Sequence, residues 1–171
     1  MTFDFTDCNF MFGLLLENKT AAEAASKIRI LKEKLYAEGV CFGDVIPLLL
    51  TDNGGEFANV SAFIADANGE IETELFFCDP MQSCQKAKVE KNHTLFRDIV
   101  PKGESFDHFT QDTVNLIFSH VNSVKRKRFN GKTPFEMFSF LFGEHTARLL
   151  GITEVPANNV VQSPKLLKNH I

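Results

Sequence analysis

Two carboxylates stand where the chain could do chemistry. Asp52 directly follows the apolar run Leu48-Leu49-Leu50-Thr51 and is followed by Gly54-Gly55. An acid at the C-terminal end of a strand in an open α/β sheet faces the ligand crevice, and a glycine pair lets the backbone approach something closely. An Asx turn that closes a strand would use the same residues. Glu90 is the second acid. On a helix, Lys86, Glu90, His93 and Arg97 share one face, a carboxylate ringed by cations, which suits a divalent metal beside phosphates. Ion pairing between successive turns of a solvated helix gives the same pattern.

Cations gather in two places. Lys86, Lys88, Lys91 and Arg97 surround Glu90, and Lys125-Arg126-Lys127-Arg128 form an unbroken run. Such groups can contact nucleic-acid phosphates, each contact adding salt-sensitive, sequence-blind affinity. The run equally suits a solvated helix C-terminus, where cations complement the dipole. His93 lies on the Glu90 face, as a DNA or metal-water contact or as a surface histidine. His108, His120, His145 and His170 show no ligand spacing, and Cys8, Cys41, Cys78 and Cys84 make no C-x-x-C pair. Free thiols in a reducing compartment follow, with no zinc site.

The elements that must position these groups are legible in outline. Met1 to Thr6 alternates apolar and polar residues, Asp7-Cys8-Asn9 turns, and Phe10 to Leu16 completes a hairpin. Thr20-x-x-Glu23 is a capping box for a helix with Ala24, Ile28, Leu31 and Leu35 on one side and Gly39 as its stop. A strand is expected over 45–50, a helix over 56–67, and another strand over 71–78. Helices are expected over 83–100 and 110–124, then an Asn130-Gly131 turn. Thr133-Pro134-Phe135-Glu136 is a second capping box, with proline at the first helical position. That helix ends near Gly143, a short one reaches Gly151, and 156–171 reads as an extended tail. The order is that of an α/β domain with a mixed sheet.

The 171 residues suit one domain, 1–151, with a tail over 152–171. At 44% hydrophobic and 23% charged, the chain is of ordinary globular composition, which excludes a disordered or collagen-like class. No run suits a membrane span, and acids occupy the positions where a signal peptide carries basic residues, so a cytoplasmic location is expected. Eighteen Phe against one Tyr and no Trp point to a Phe-packed core, and Phe135, Met137, Phe138, Phe140 and Phe142 read as core or dimer packing. The net charge of −4 hides an asymmetry. Residues 1–82 carry 5 basic and 14 acidic side chains, whereas 83–135 carry 10 basic and 5 acidic. A polyanion-facing side follows, or else a solvated charged face.

The blocks TDNGGEF, FFCDP, EKNHTLFR with IVPKG, and GKTPFEMF occur in this order. Together they resemble the insertion-sequence transposases of the IS-thirty family, relatives of retroviral integrases in the RNase H-like superfamily. The resemblance covers roughly residues 1–143. It implies an integrase-like α/β core, a mixed sheet flanked by helices, and a DDE triad binding two Mg²⁺ (or Mn²⁺) ions. Asp52 matches the second acid and Glu90 the third. It further implies bacterial, nucleoid-associated action on double-stranded DNA, cutting transposon ends and joining them to target. Assembly as a homodimer or higher oligomer is expected.

The chain departs from that family in three places. Ser83-Cys84-Gln85-Lys86-Ala87 replaces the usual W-Q-R-G, and the stretch between the two acids is longer. The strand bearing the first acid would lie before Met1, leaving the chain N-terminally truncated with its first strand missing and Asp4 as the one stand-in. The alternative to an active core is therefore a catalytically inactive one that only binds DNA or dimerises.

Overall fold

A computed structural model describes residues 1–78 and 87–168, with the backbone alone over 87–92. These form two compact units, one of Met1–Leu15 with Lys86–Ile171 and one of Leu16–Gln85.

In the first unit, strands β1 (Thr2–Phe5) and β2 (Phe10–Gly13) form the expected antiparallel hairpin, Phe3 opposite Phe12 and Asp4 opposite Met11. Helices α4 (Ala87–Ile99), α5 (Gln111–Asn122), α6 (Pro134–Phe142), α7 (Glu144–Leu149) and α8 (Lys165–Lys168) complete it. Val114, Ile117, Phe118 and Val121 line the buried side of α5, as their spacing requires. Met11 is tied to α5 at both backbone groups: its N–H donates to Asn122 Oδ1 at 2.9 Å, and its carbonyl accepts from Asn122 Nδ2 at 2.6 Å. Gly13 sits where a side chain would meet the Phe118 ring at 2.5 Å, so its lack of a Cβ lets that ring close on the strand.

Most of the Phe-packed core lies in this unit. Phe10 stacks on Phe138 with ring centres 3.9 Å apart, Phe3 on Phe12 at 4.5 Å, and Phe96 on Phe118 at 5.3 Å. Within α6 the aromatic residues divide. Phe135 and Phe138 are buried, whereas Phe140 is 86% and Leu141 52% exposed. Thr133 and Glu136 form the reciprocal capping box.

The second unit holds α1 (Ala21–Ala37), α2 (Phe42–Val45), β3 (Leu48–Thr51), α3 (Val60–Ile64) and β4 (Glu74–Phe77). Strands β3 and β4 pair in parallel, Leu48 opposite Glu74 and Thr51 opposite Phe77. In place of the single mixed sheet expected, the described residues form two separate two-stranded sheets, one antiparallel and one parallel.

Three local expectations need correction. The strand expected from Val45 starts at Leu48, because Pro47 has no N–H for a ladder and Phe42–Val45 coils as one helical turn. The helix expected over 56–67 shrinks to α3 behind a 3₁₀ turn at Gly55–Phe57. Asp66 is the cause at its far end: its Oδ1 accepts from the N–H groups of Asn68 and Glu70, both at 2.8 Å, and claims the following residues for a tight turn. At Thr20 the cap forms, but the Glu23 carboxylate reaches back to Glu17 and Asn18 N–H, not to the N-cap.

The tail is not a loose extension. Thr153 N–H donates to Ser119 Oγ, Val155 N–H to Ser123 Oγ and Val161 N–H to His120 Nδ1, binding it along α5. Leu166 and Leu167 of α8 are buried. A polar stretch with donors free for side-chain acceptors looks extended in sequence, since its partners lie on a distant helix.

Candidate functional site

The parallel pairing of β3 with β4 fixes the end of β3, and Cys78 N–H donates to Thr51 O at 2.7 Å to extend it by one rung. Asp52 is the next residue and stands exposed at that strand end. Its Oδ1 accepts the Gly54 N–H at 3.3 Å, so the Asx turn does form. A side chain on Gly54 would lie 3.1 Å from Asp52 Oδ1 and 2.5 Å from Glu56 Oε2. The glycine therefore admits a close approach, and what approaches is this chain's own pair of carboxylates. Glu56 is held from the other side by Lys19, at 3.2 Å from Oε1. Phe57, at the end of the 3₁₀ turn, packs its ring against the buried Phe63 at 5.6 Å. The turn that carries Asp52 is thus pinned at Glu56 and at Phe57.

At the other end of the β3–β4 pair lies a buried polar cluster that the sequence reading missed. Lys32 is 4% exposed, and its Nζ donates to Phe63 O at 3.0 Å and Ala65 O at 2.7 Å while pairing with Glu72 at 2.9 Å. Tyr36 donates its hydroxyl to the same Glu72 oxygen. Burial, then the bond to Glu72, push the Tyr36 phenol well above its ordinary value. A signal existed: Lys32 falls four residues after Ile28, on the apolar side of α1, where a solvated lysine would not be placed. The cluster joins α1 to the segment leading into β4 and so supports the sheet that ends at Asp52.

Glu90 belongs to the other unit, in α4. The backbone places it on the helix that the spacing required; its side chain, and those of Lys88 and Lys91, lie outside the described residues, as does Lys86 altogether. Downstream on α4, His93 is half-buried and Arg97 is exposed, its guanidinium 5.9 Å from the Phe96 ring centre. Ile99 and Val100 are fully buried and fasten the end of this helix.

The basic run divides. Lys125, Lys127 and Arg128 are exposed, but Arg126 is half-buried, with its Nη2 donating to Val121 O at 3.2 Å. Burial pulls the Arg126 guanidinium below its ordinary value, and the charge of Asp4 pushes it back up. Arg128 donates to Asn9 Oδ1 at the tip of the hairpin, at 3.3 Å. Asp4, the stand-in acid, therefore sits on β1 within the electrostatic reach of Arg126.

A hard dication takes oxygen ligands such as Asp52 presents. Among the described residues no group of three or more His, Cys, Asp or Glu side chains is placed to hold a metal ion. Nor, among them, is any helix long and apolar enough to cross a membrane.

Comparison with known proteins gives the site its context. Over 140 residues, 80% of this chain, it is 30% identical to the transposase for insertion sequence element IS1086 of Cupriavidus metallidurans, covering 38% of that protein. Over most of its length the chain is thus similar to a transposase. Over 129 residues, 74% of the chain, it is also 29% identical to a Spiroplasma virus protein named "Putative integrase ORF3", covering 37% of it. The chain thus spans under two fifths of the length of the curated relatives it matches. No family model matches it. No solved structure does so either.

Proposed function

We propose that the chain is a DDE-type catalytic core of the IS-thirty kind, with an RNase H-like fold, acting on double-stranded DNA ends by metal-assisted phosphoryl transfer. The observation that carries this reading is the pinned turn TDNGGEF, which sets Asp52 exposed at the C-terminal end of a parallel strand in a chain similar to a transposase. Asp52 and Glu90 would hold Mg²⁺ or Mn²⁺. A pair of such ions supplies an activated attacking oxygen and a stabilised leaving oxygen. The chain's own contribution is positional: β3 and the Glu56–Lys19 pair orient the Asp52 carboxylate, and the fastened end of α4 orients the helix bearing Glu90. Lys86, Lys88, Lys91, Arg97, Lys125, Lys127 and Arg128 would meet DNA phosphates. The exposed Phe140 and Leu141 support assembly of two copies.

The test is Mn²⁺ binding by the purified chain, followed by electron paramagnetic resonance. We expect weak binding that both Asp52→Asn and Glu90→Gln reduce about tenfold or more, since each removes an anionic ligand. Unchanged binding in either variant would sink the assignment. Joining of pre-cut DNA ends by this chain should be slight, because two acids replace the three that the family's chemistry uses, and a ligand acting mainly in the transition state costs turnover before binding. An inactive chain that still binds duplex DNA and dimerises is the second reading. Undiminished joining in the Asp52→Asn variant would exclude both.

A further inference from the structure

Residues 152–168 leave α7 through a tight turn and run along α5. Gly151 makes that turn at φ 83°, and a Cβ there would lie 2.6 Å from Asn115 Nδ2, so the backbone is pressed onto α5. Ile152 follows it and is fully buried. Two serines of α5 then act as pegs. Ser119 Oγ donates to Asn115 O and Ser123 Oγ to Ser119 O, both at 2.8 Å, so each hydroxyl proton is engaged within the helix. Each oxygen is left to accept, and each takes an N–H of the tail, Thr153 at 3.1 Å and Val155 at 2.9 Å. His120 Nδ1 takes a third, from Val161 at 3.0 Å. Beyond these pegs, Ser163 O and Pro164 O accept from the N–H groups of Leu166 and Leu167 and start α8, where both leucines are buried. Helix α8 packs against α4, whose Phe96 also stacks on Phe118 of α5. Helix α4 is thus held by two elements, and one of them is the tail.

We infer that Leu166 and Leu167 are positioning residues of the proposed metal site: the tail, pegged to α5, delivers them to α4 and so fixes the helix that bears Glu90. The consequence for Glu90 rests on the proposed metal site; the clamp on α4 does not. Its physical basis is length. Helix α8 has four residues, and so short a helix has no stability of its own in water. It forms where something else brings it. The pegs on α5 do so, keeping the two leucines at a high effective concentration beside α4. Removing their apolar area from water then ties α4 down. A ligand on a helix that opens less often is competent for more of the time, and its apparent affinity rises by that fraction.

The experiment is hydrogen exchange of the full chain, read at single amides by NMR, beside Mn²⁺ binding followed by electron paramagnetic resonance. The Leu166→Ala, Leu167→Ala variant should speed exchange of the amides of 94–99 about tenfold or more, while those of Met11 and Phe118 keep their rates. Its Mn²⁺ binding should fall toward that of Glu90→Gln. Adding Glu90→Gln to it should then cost little more, as coupled residues do, whereas Asp52→Asn should still add its own loss. Leu166→Met with Leu167→Met keeps the volume and should restore both readouts. The Ser119→Ala, Ser123→Ala pair removes two pegs and serves if the alanine variant of the leucines does not fold. A serine bonding back within a helix does not strengthen that helix, so this pair leaves α5 intact, and speeding at α4 must pass through the tail. A several-fold increase is expected there. Parental rates over 94–99 in either variant, or equal speeding at Phe118, would overturn the inference. So would parental Mn²⁺ binding in the leucine variant when Glu90→Gln does weaken it. If Glu90→Gln leaves Mn²⁺ binding unchanged, the metal reading falls alone, and the exchange rates decide the clamp.

Discussion

The two units solve the problem of a stable interior in different ways. Around β1, β2, α5 and α6 the interior is made of stacked rings, with Phe10, Phe12, Phe118 and Phe138 at most 1% exposed. Between α1 and β4 the apolar interior, with Ile28, Leu35, Phe42 and Phe63 at most 1% exposed, also encloses an ionic cluster, a buried lysine held by a carboxylate and two backbone carbonyls, with a tyrosine bonded to the same carboxylate. Apolar packing is undirected and scales with the area removed from water. A buried ion pair stabilises little in net terms, yet it admits one geometry, because any displacement leaves a charge unpaired. The unit bearing Asp52 is thus the one whose interior favours fixed geometry over adhesive strength. For a turn that must hold a carboxylate in one place, that is the useful property.

The sharpest way to break this contrast is to empty the ring stack. Phe10→Ala should cost about 3–5 kcal/mol, the usual range for a fully buried phenylalanine. Hydrogen exchange should show the loss among residues 1–15 and 87–168; an equal loss over 21–77 would end the division into two interiors. Next in size is Glu72→Gln, which keeps the shape and removes the charge facing Lys32. It should cost about 3 kcal/mol, because an unpaired buried cation remains, and chemical denaturation would measure it. A variant as stable as the parent would show the cluster to be dispensable. The gentlest probe is alkaline titration. Tyr36 is the chain's single tyrosine and there is no tryptophan, so tyrosinate absorbance reports this cluster alone. Its folded-state value lies above the unfolded one, so its contribution is complete below the ordinary tyrosine value of about 10 and is lost as pH rises toward the folded value. Ionisation should therefore lag behind that of free tyrosine and coincide with unfolding. Free titration near the ordinary value, with the fold intact, would count against the bond to Glu72.

Much of this was legible in the residues, and what was not has physical causes. The hairpin, α1, α5 and α6 announce themselves by period and caps, which are local properties. Asp52 at a strand end was legible for the same reason, since an apolar run before Asp-Asn-Gly-Gly has few other uses. The shortening of the 56–67 helix was not, because it depends on Asp66 taking two backbone donors for a turn. The inward direction of Arg126 was hidden as well: four consecutive cations read alike, and only the carbonyl of Val121 singles one out. Lys32 could have been found from its place on the apolar side of α1, though not the identity of Glu72 as its partner. The tail's attachment escaped because its acceptors, Ser119, His120 and Ser123, are polar residues on a helix whose apolar stripe draws the eye first.

The pairing of Met11 with Asn122 has a consequence for how the molecule comes into being. The two residues are 111 positions apart, and the ring that covers Phe10 comes later still, from Phe138. At the usual rate of about 5–20 residues per second, a ribosome needs roughly 5–20 s to cover that interval. Through that time the hairpin, with the sequence Phe-Met-Phe on one strand, lacks its cover, whereas the pairs Lys32–Glu72 and Thr51–Cys78 of the second unit are completed sooner. The stretch that bears Asp52 can thus be native first, and the nascent hairpin is the segment a chaperone would be expected to meet.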